Sequence, residues 1–97
     1  MDVGLRYIPV GYQQLTVGGT VVSLTVPAGA VLAIFNTETT ALRWRDDGGN
    51  LAATFGMPLP ITGTGPLFEY SGNLAAIQFL SSGAAGTLNV SYYKISG

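Results

Sequence analysis

Apolar and polar residues alternate along this chain with a period of two, in short runs separated by glycine- and proline-containing turns. In residues 20–26, Val22, Leu24 and Val26 share one face, and Val21, Ser23 and Thr25 share the other. Pro27-Ala28-Gly29 then turns the chain into residues 30–36, apolar on both faces, which predicts a central strand or one covered by a partner. Residues 41–46 alternate cleanly, with Leu42 and Trp44 on one side and Arg43 and Arg45 on the other. Further runs cover residues 68–70, 76–80 and 87–93; in the last, Leu88, Val90 and Tyr92 alternate with Asn89, Ser91 and Tyr93. No stretch sustains the spacing of an amphipathic helix. Residues 1–12 suit an amino-terminal arm or an edge strand, because Pro9 bars a central position.

The punctuation supports the same picture. Fourteen glycines and five prolines are spread along all 97 residues, and turn signals between short β-rich runs are the mark of a sandwich or barrel. Seven or eight short strands predict one all-β domain over residues 1–97, a single antiparallel β-sandwich of jelly-roll-like or Greek-key type.

Composition narrows the function. Only 9% of the residues are charged, against about 25% in an ordinary soluble domain. Depletion of charge with abundant aromatic residues characterises interface cores, and a net charge of −1 favours association. Four Lys and Arg residues are too few to track a phosphate backbone, so nucleic acid is not an expected partner. The longest apolar run, residues 30–35, is far shorter than the ~20 needed for a membrane helix. No signal-peptide pattern opens the chain.

Candidate chemistry is sparse. With no His and no Cys, neither a structural zinc site nor a His- or Cys-based nucleophile–base pair can be assembled, so no cofactor and no enzymatic activity are expected. Four of the nine charges fall in Arg43-Trp44-Arg45-Asp46-Asp47. Asp46 and Asp47 could serve as calcium ligands or, with Glu69, as a carboxylate-only hydrolase. Adjacent strand residues point to opposite faces, however, and the spacing misses the calcium-loop pattern. A hairpin turn fits better: Asp-Gly and Gly-Asn are turn dipeptides, and either aspartate can pair with Arg43 or Arg45. Gly63-Thr64-Gly65-Pro66 also reads as a turn, not a phosphate loop, and Asn89-Val90-Ser91 reads as a mid-strand coincidence with a glycosylation sequon. Trp44 is in phase with Leu42, which favours core or subunit interface; a sugar-stacking role remains the alternative, with Tyr70 and Tyr92 as further stacking rings. Arg43, Arg45, Tyr93, Tyr7 and Tyr12 are the candidate interface residues, the arginines because guanidinium groups suit interface ion pairs.

The segments Leu42-Arg43-Trp44-Arg45-Asp46-Asp47-Gly48, Gly56-Met57-Pro58-Leu59, Gly72-Asn73-Leu74, Ala76-Ile77-Gln78-Phe79-Leu80 and Leu88-Asn89-Val90-Ser91-Tyr92-Tyr93 resemble, in order and spacing, small structural proteins of tailed bacteriophages. The resemblance spans about half the chain, residues 41–93. It implies a β-sandwich that cements or decorates the capsid or is a minor virion component. It also implies a homo-oligomer, by analogy a trimer, with the major capsid protein as partner. The chain would then be made in the bacterial host cytoplasm and reside on the capsid surface. A glycan- or receptor-binding module of a tail or fibre is the alternative expectation.

Overall fold

The computed structural model describes residues 6–52, 54–60, 68–81 and 83–95. Among these residues eight strands make two antiparallel four-stranded sheets: β1 (Tyr7–Val17), β2 (Val22–Ser23), β3 (Leu32–Glu38), β4 (Leu42–Arg45), β5 (Met57–Leu59), β6 (Phe68–Tyr70), β7 (Gln78–Ser81) and β8 (Gly86–Ile95). One sheet has the order β1-β8-β3-β6 and the other β2-β7-β4-β5. Strand 1 pairs with 8, 2 with 7, 3 with 6 and 4 with 5. This is the nesting of a long hairpin rolled into a sandwich, and it defines an eight-stranded jelly roll.

The alternation in the sequence becomes the two faces of each sheet. Leu88, Val90 and Tyr92 of β8 are buried beside Ala33 and Phe35 of β3, while Leu42, Leu59 and Phe79 approach from the second sheet. Phe35 is the hub. Its ring lies 5.5 Å from Phe68 and 6.1 Å from Tyr70 within its own sheet, and meets Phe79 of the other sheet edge-on at 5.2 Å. Trp44 joins from β4, 5.7 Å from Phe68 and 5.9 Å from Tyr70. Such aromatic pairs contribute about 0.5–1.5 kcal/mol each beyond their buried area.

Several expectations shift at their ends. β3 is central, between β8 and β6, as its two-faced apolarity predicts. The expected strand over 20–26 shrinks to Val22–Ser23, because beyond it the chain leaves one sheet for the other; Leu24 and Val26 still pack against the core. The strand expected at 76–80 begins only at Gln78, after a turn in which Asn73 accepts from the amides of Ala76 and Ile77. β5, with Pro58 at its centre, had no strand-like pattern to announce it. Residues 7–12 are edge strand: among the described residues Tyr7–Val17 pairs only with β8, and a bulge at Val10 separates the Pro9–Tyr93 and Gly11–Tyr92 pairs. The 63–66 turn and residues 1–5 lie outside the described residues.

Since Phe35 touches rings from both sheets, Phe35→Ala should cost about 3–5 kcal/mol. That is a large part of the roughly 5–15 kcal/mol total of a small domain. Urea unfolding should show the midpoint collapse, and a loss below about 1 kcal/mol would mean the hub is misassigned.

Candidate functional site

The β4–β5 hairpin places the charged cluster. β4 alternates into its last residue, so Trp44 faces the core aromatics and Arg45 the other side. The turn that follows is held by its own side chains. Arg45 Nε donates to Asp47 Oδ1 at 3.0 Å and Nη2 to Oδ2 at 2.6 Å, while Nη1 donates to the Asn50 carbonyl at 2.8 Å. Gly49 N–H donates to Asp47 Oδ1, and Gly48 supplies the left-handed backbone of the turn at φ 78°. The guanidinium also lies over the Phe55 ring, 5.2 Å from its centroid. The hydrogen bond from Arg45 holds Asp47 below the ordinary carboxylate range and keeps Arg45 more firmly protonated. Asp47 is exposed and Arg45 half-buried, so solvent screens the pair; its role is to shape the hairpin and it adds little stability.

The Arg45–Asp47 pair is one of the pairings the turn sequence allows, and all three guanidinium nitrogens of Arg45, an interface candidate, are engaged within the chain. Arg43, half-buried on the same side, donates from Nη1 to the Gly56 carbonyl at 2.9 Å. The two aspartates serve different partners: Asp47 takes Arg45, and Asp46 accepts from the Tyr70 hydroxyl at 2.5 Å. Neither geometry assembles a carboxylate pair around a substrate, and Glu69 sits apart on β6. Among the described residues no three acidic groups gather as a metal site.

Tyr70 and Tyr92, expected as further stacking rings, are buried residues, 8% and 1% exposed, and present no open ring face to a sugar. Tyr92 faces the interior and donates to Gln13 Oε1 at 2.6 Å, an oxygen that also accepts from Thr25 N–H at 3.1 Å. Gln13 thus pins the crossing segment under β1, a role no local pattern announces. Trp44 keeps one side open. Together with Arg45, Asp46, Asp47, Phe55, Gly56 and Met57 it lines a groove of about 510 Å³ at the end of the β4–β5 hairpin. Phe55 and Met57, both exposed, are the groove residues that the sequence reading missed.

The other candidates lie on the outer face of the β1-β8-β3-β6 sheet. Register places Tyr7 opposite Ile95, Pro9 opposite Tyr93 and Tyr12 opposite Ser91. Tyr7 and Tyr12 are 55% and 63% exposed, Ile95 43%, and Tyr93 is half-buried. Below this apolar end runs a polar ladder. Tyr12 OH and Gln14 Nε2 donate to Asn89 Oδ1 at 2.6 and 2.9 Å, and Asn89 Nδ2 donates to Asn36 Oδ1 and Glu38 Oε2. Asn89 is therefore a structural node, in keeping with its mid-strand position. Comparison of the chain with known protein families, with curated proteins and with solved structures gave no match in any of the three.

Burial pushes the Tyr92 hydroxyl from 10.0 up to about 12. Burial and the Asp46 hydrogen bond together push Tyr70 up to about 12. Both groups keep their protons in the fold at a pH where unfolded tyrosine has lost them. This contribution to stability is intact below pH ~10 and is lost as pH rises through about 12. Alkaline titration should therefore unfold the chain in that window, with tyrosinate absorbance and circular dichroism changing together. Early ionisation of all five tyrosines in an intact fold would contradict this.

Proposed function

We propose that this chain is a non-enzymatic structural protein of a tailed-phage virion, which self-associates and covers the outer face of the capsid. The observation that carries the reading is the uncharged aromatic face formed by Tyr7, Tyr12, Tyr93 and Ile95 on β1 and β8. Exposed apolar surface of this kind marks contact sites, and exposed tyrosines supply rigid contact area at interface centres. The resemblance over residues 41–93 supports the virion setting, and the jelly roll is an architecture that capsid proteins use among others. A standard interface takes about 800 Å² from each partner, roughly one-seventh of this chain's 5547 Å². Repeated over neighbouring subunits, such contacts stabilise a shell by avidity.

The decisive experiment adds purified protein to capsids of its own phage assembled without it. Saturable, stoichiometric binding is expected. Tyr12→Ala should fold normally and weaken occupancy by about tenfold, the equivalent of about 1.4 kcal/mol. No saturable binding to those capsids would sink the reading.

The open groove beside Trp44 favours a second reading, a glycan- or receptor-binding module of a tail or fibre. Its mixed lining of Trp44, Phe55 and Met57 with Asp46 and Asp47 suits neutral sugars, whose C–H faces stack on aromatic rings while their hydroxyls donate to carboxylates. Trp44 is the single tryptophan, so its emission reports the groove directly. Saturable change on titration with neutral oligosaccharides supports this reading, and unchanged emission across such a panel removes it.

A further inference from the structure

Among the described residues four edges bound the two sheets, and three are protected. β2 is two residues long, β5 is three with Pro58 at its centre, and β6 is three with Glu69 at its centre. Short strands, prolines and charges are the usual devices that keep sheet edges from pairing with other chains. β1 differs. It runs for 11 residues without one Asp, Glu, Lys or Arg. Pro9 and the Val10 bulge guard its first part, but the seven residues from Gly11 to Val17 carry neither device. Their ladder goes to β8 on one side only. The segment that crosses nearby reaches the inner face of β1, through Thr25 N–H to the Gln13 side chain, and among the described residues it makes no backbone bond to the β1 edge. Among the described residues, the next backbone bond on that side comes only past the strand's end, where Ser81 N–H donates to the Gly18 carbonyl at 3.0 Å.

We infer that this edge joins a second copy of the chain, β1 against β1, antiparallel about a two-fold axis at Gln14. The other three edges are too short to receive it, so the long edge finds its match only in itself, and a self-complementary contact of this kind closes as a dimer. Charge permits it: the strand is neutral, so two copies meet without like-charge repulsion. The register supplies partners. Pairing about Gln14 sets Tyr12 against Thr16 of the other copy, an aromatic–β-branched pair on the outer face. Each Gln14 amide spends one proton on Asn89 Oδ1 and keeps its oxygen and second proton for its counterpart. The result is one continuous eight-stranded sheet. This deepens the self-association proposed above and rests on it, but replaces the threefold arrangement of the resemblance with a two-fold one.

Light scattering coupled to gel filtration should give twice the 10.0 kDa chain mass. Gln14→Lys sets two ammonium groups face to face at the axis and should raise the dimer dissociation constant by roughly a hundredfold. Gln14→Glu should do the same alone, and mixing the two variants should restore a dimer. Hydrogen exchange should show alternate β1 amides protected in the dimer and released in the Gln14→Lys monomer. A monomer at every concentration would overturn self-association and this pairing together. A trimer, or a dimer that Gln14→Lys leaves intact, would overturn the pairing alone.

Discussion

The edge-on contact between Phe35 and Phe79 is the interaction on which the other features depend. It is the point at which the two sheets lock, and it brings Phe68, Tyr70 and, through them, Trp44 into one aromatic cluster. Because strand side chains alternate, slipping β3 or β7 by one residue would turn its ring out to solvent. Both candidate surfaces inherit their geometry from that lock. The inward phase of Trp44 places Arg45 outward into its hairpin. The inward phase of Tyr92 places Tyr93 on the outer face with Tyr7 and Tyr12.

A chain with so few charges has to satisfy its polar groups by other means. On the outer sheet face Asn89 does so, accepting from the Tyr12 hydroxyl and the Gln14 amide of β1 and donating to the Asn36 amide oxygen and the Glu38 carboxylate of β3. Inside, Gln13 takes the Tyr92 hydroxyl and the Thr25 amide, and Thr37 donates to the Pro60 carbonyl. No buried side-chain polar atom among the described residues is left without a partner. Apart from Glu38 these networks are neutral, and neutral groups cost little to bring against another surface, whereas charged groups demand paired desolvation. The scarcity of charge and the exposed aromatic face are therefore consistent parts of one surface chemistry.

What was legible in the sequence is what depends on neighbours along the chain. The alternation in β8 places Leu88, Val90 and Tyr92 correctly, the two-faced apolarity of β3 foretells its central position, and Asp-Gly with Gly-Asn marks the β4–β5 turn. Illegible were the contacts made between distant segments. Nothing near Asp46 reveals that Tyr70, 24 residues away, will occupy it. Nothing near Gln13 announces Tyr92, and β5 forms around a proline because β4 presents it with a partner strand. The groove was half legible: Trp44 and the acidic pair are visible as a motif, but Phe55 and Met57 join them only when the hairpin closes.

The exposure of β1 has a topological origin. In a rolled hairpin the first described strand pairs with the last and has no second neighbour among the described strands, so one long edge is left open whatever residues it carries. What remains for the sequence to choose is how that edge is defended. Here Pro9 and the Val10 bulge defend one half, while the half from Gly11 onward keeps regular pairing geometry and no charge. An undefended edge is a hazard in a protein that must stay alone, because any extended strand can add to it. In a protein whose surface is otherwise poor in charge and whose adjoining face carries exposed tyrosines, the same edge is a coherent place for a second copy. The topology supplies the opening, and the residues leave it unguarded where the pairing geometry is regular.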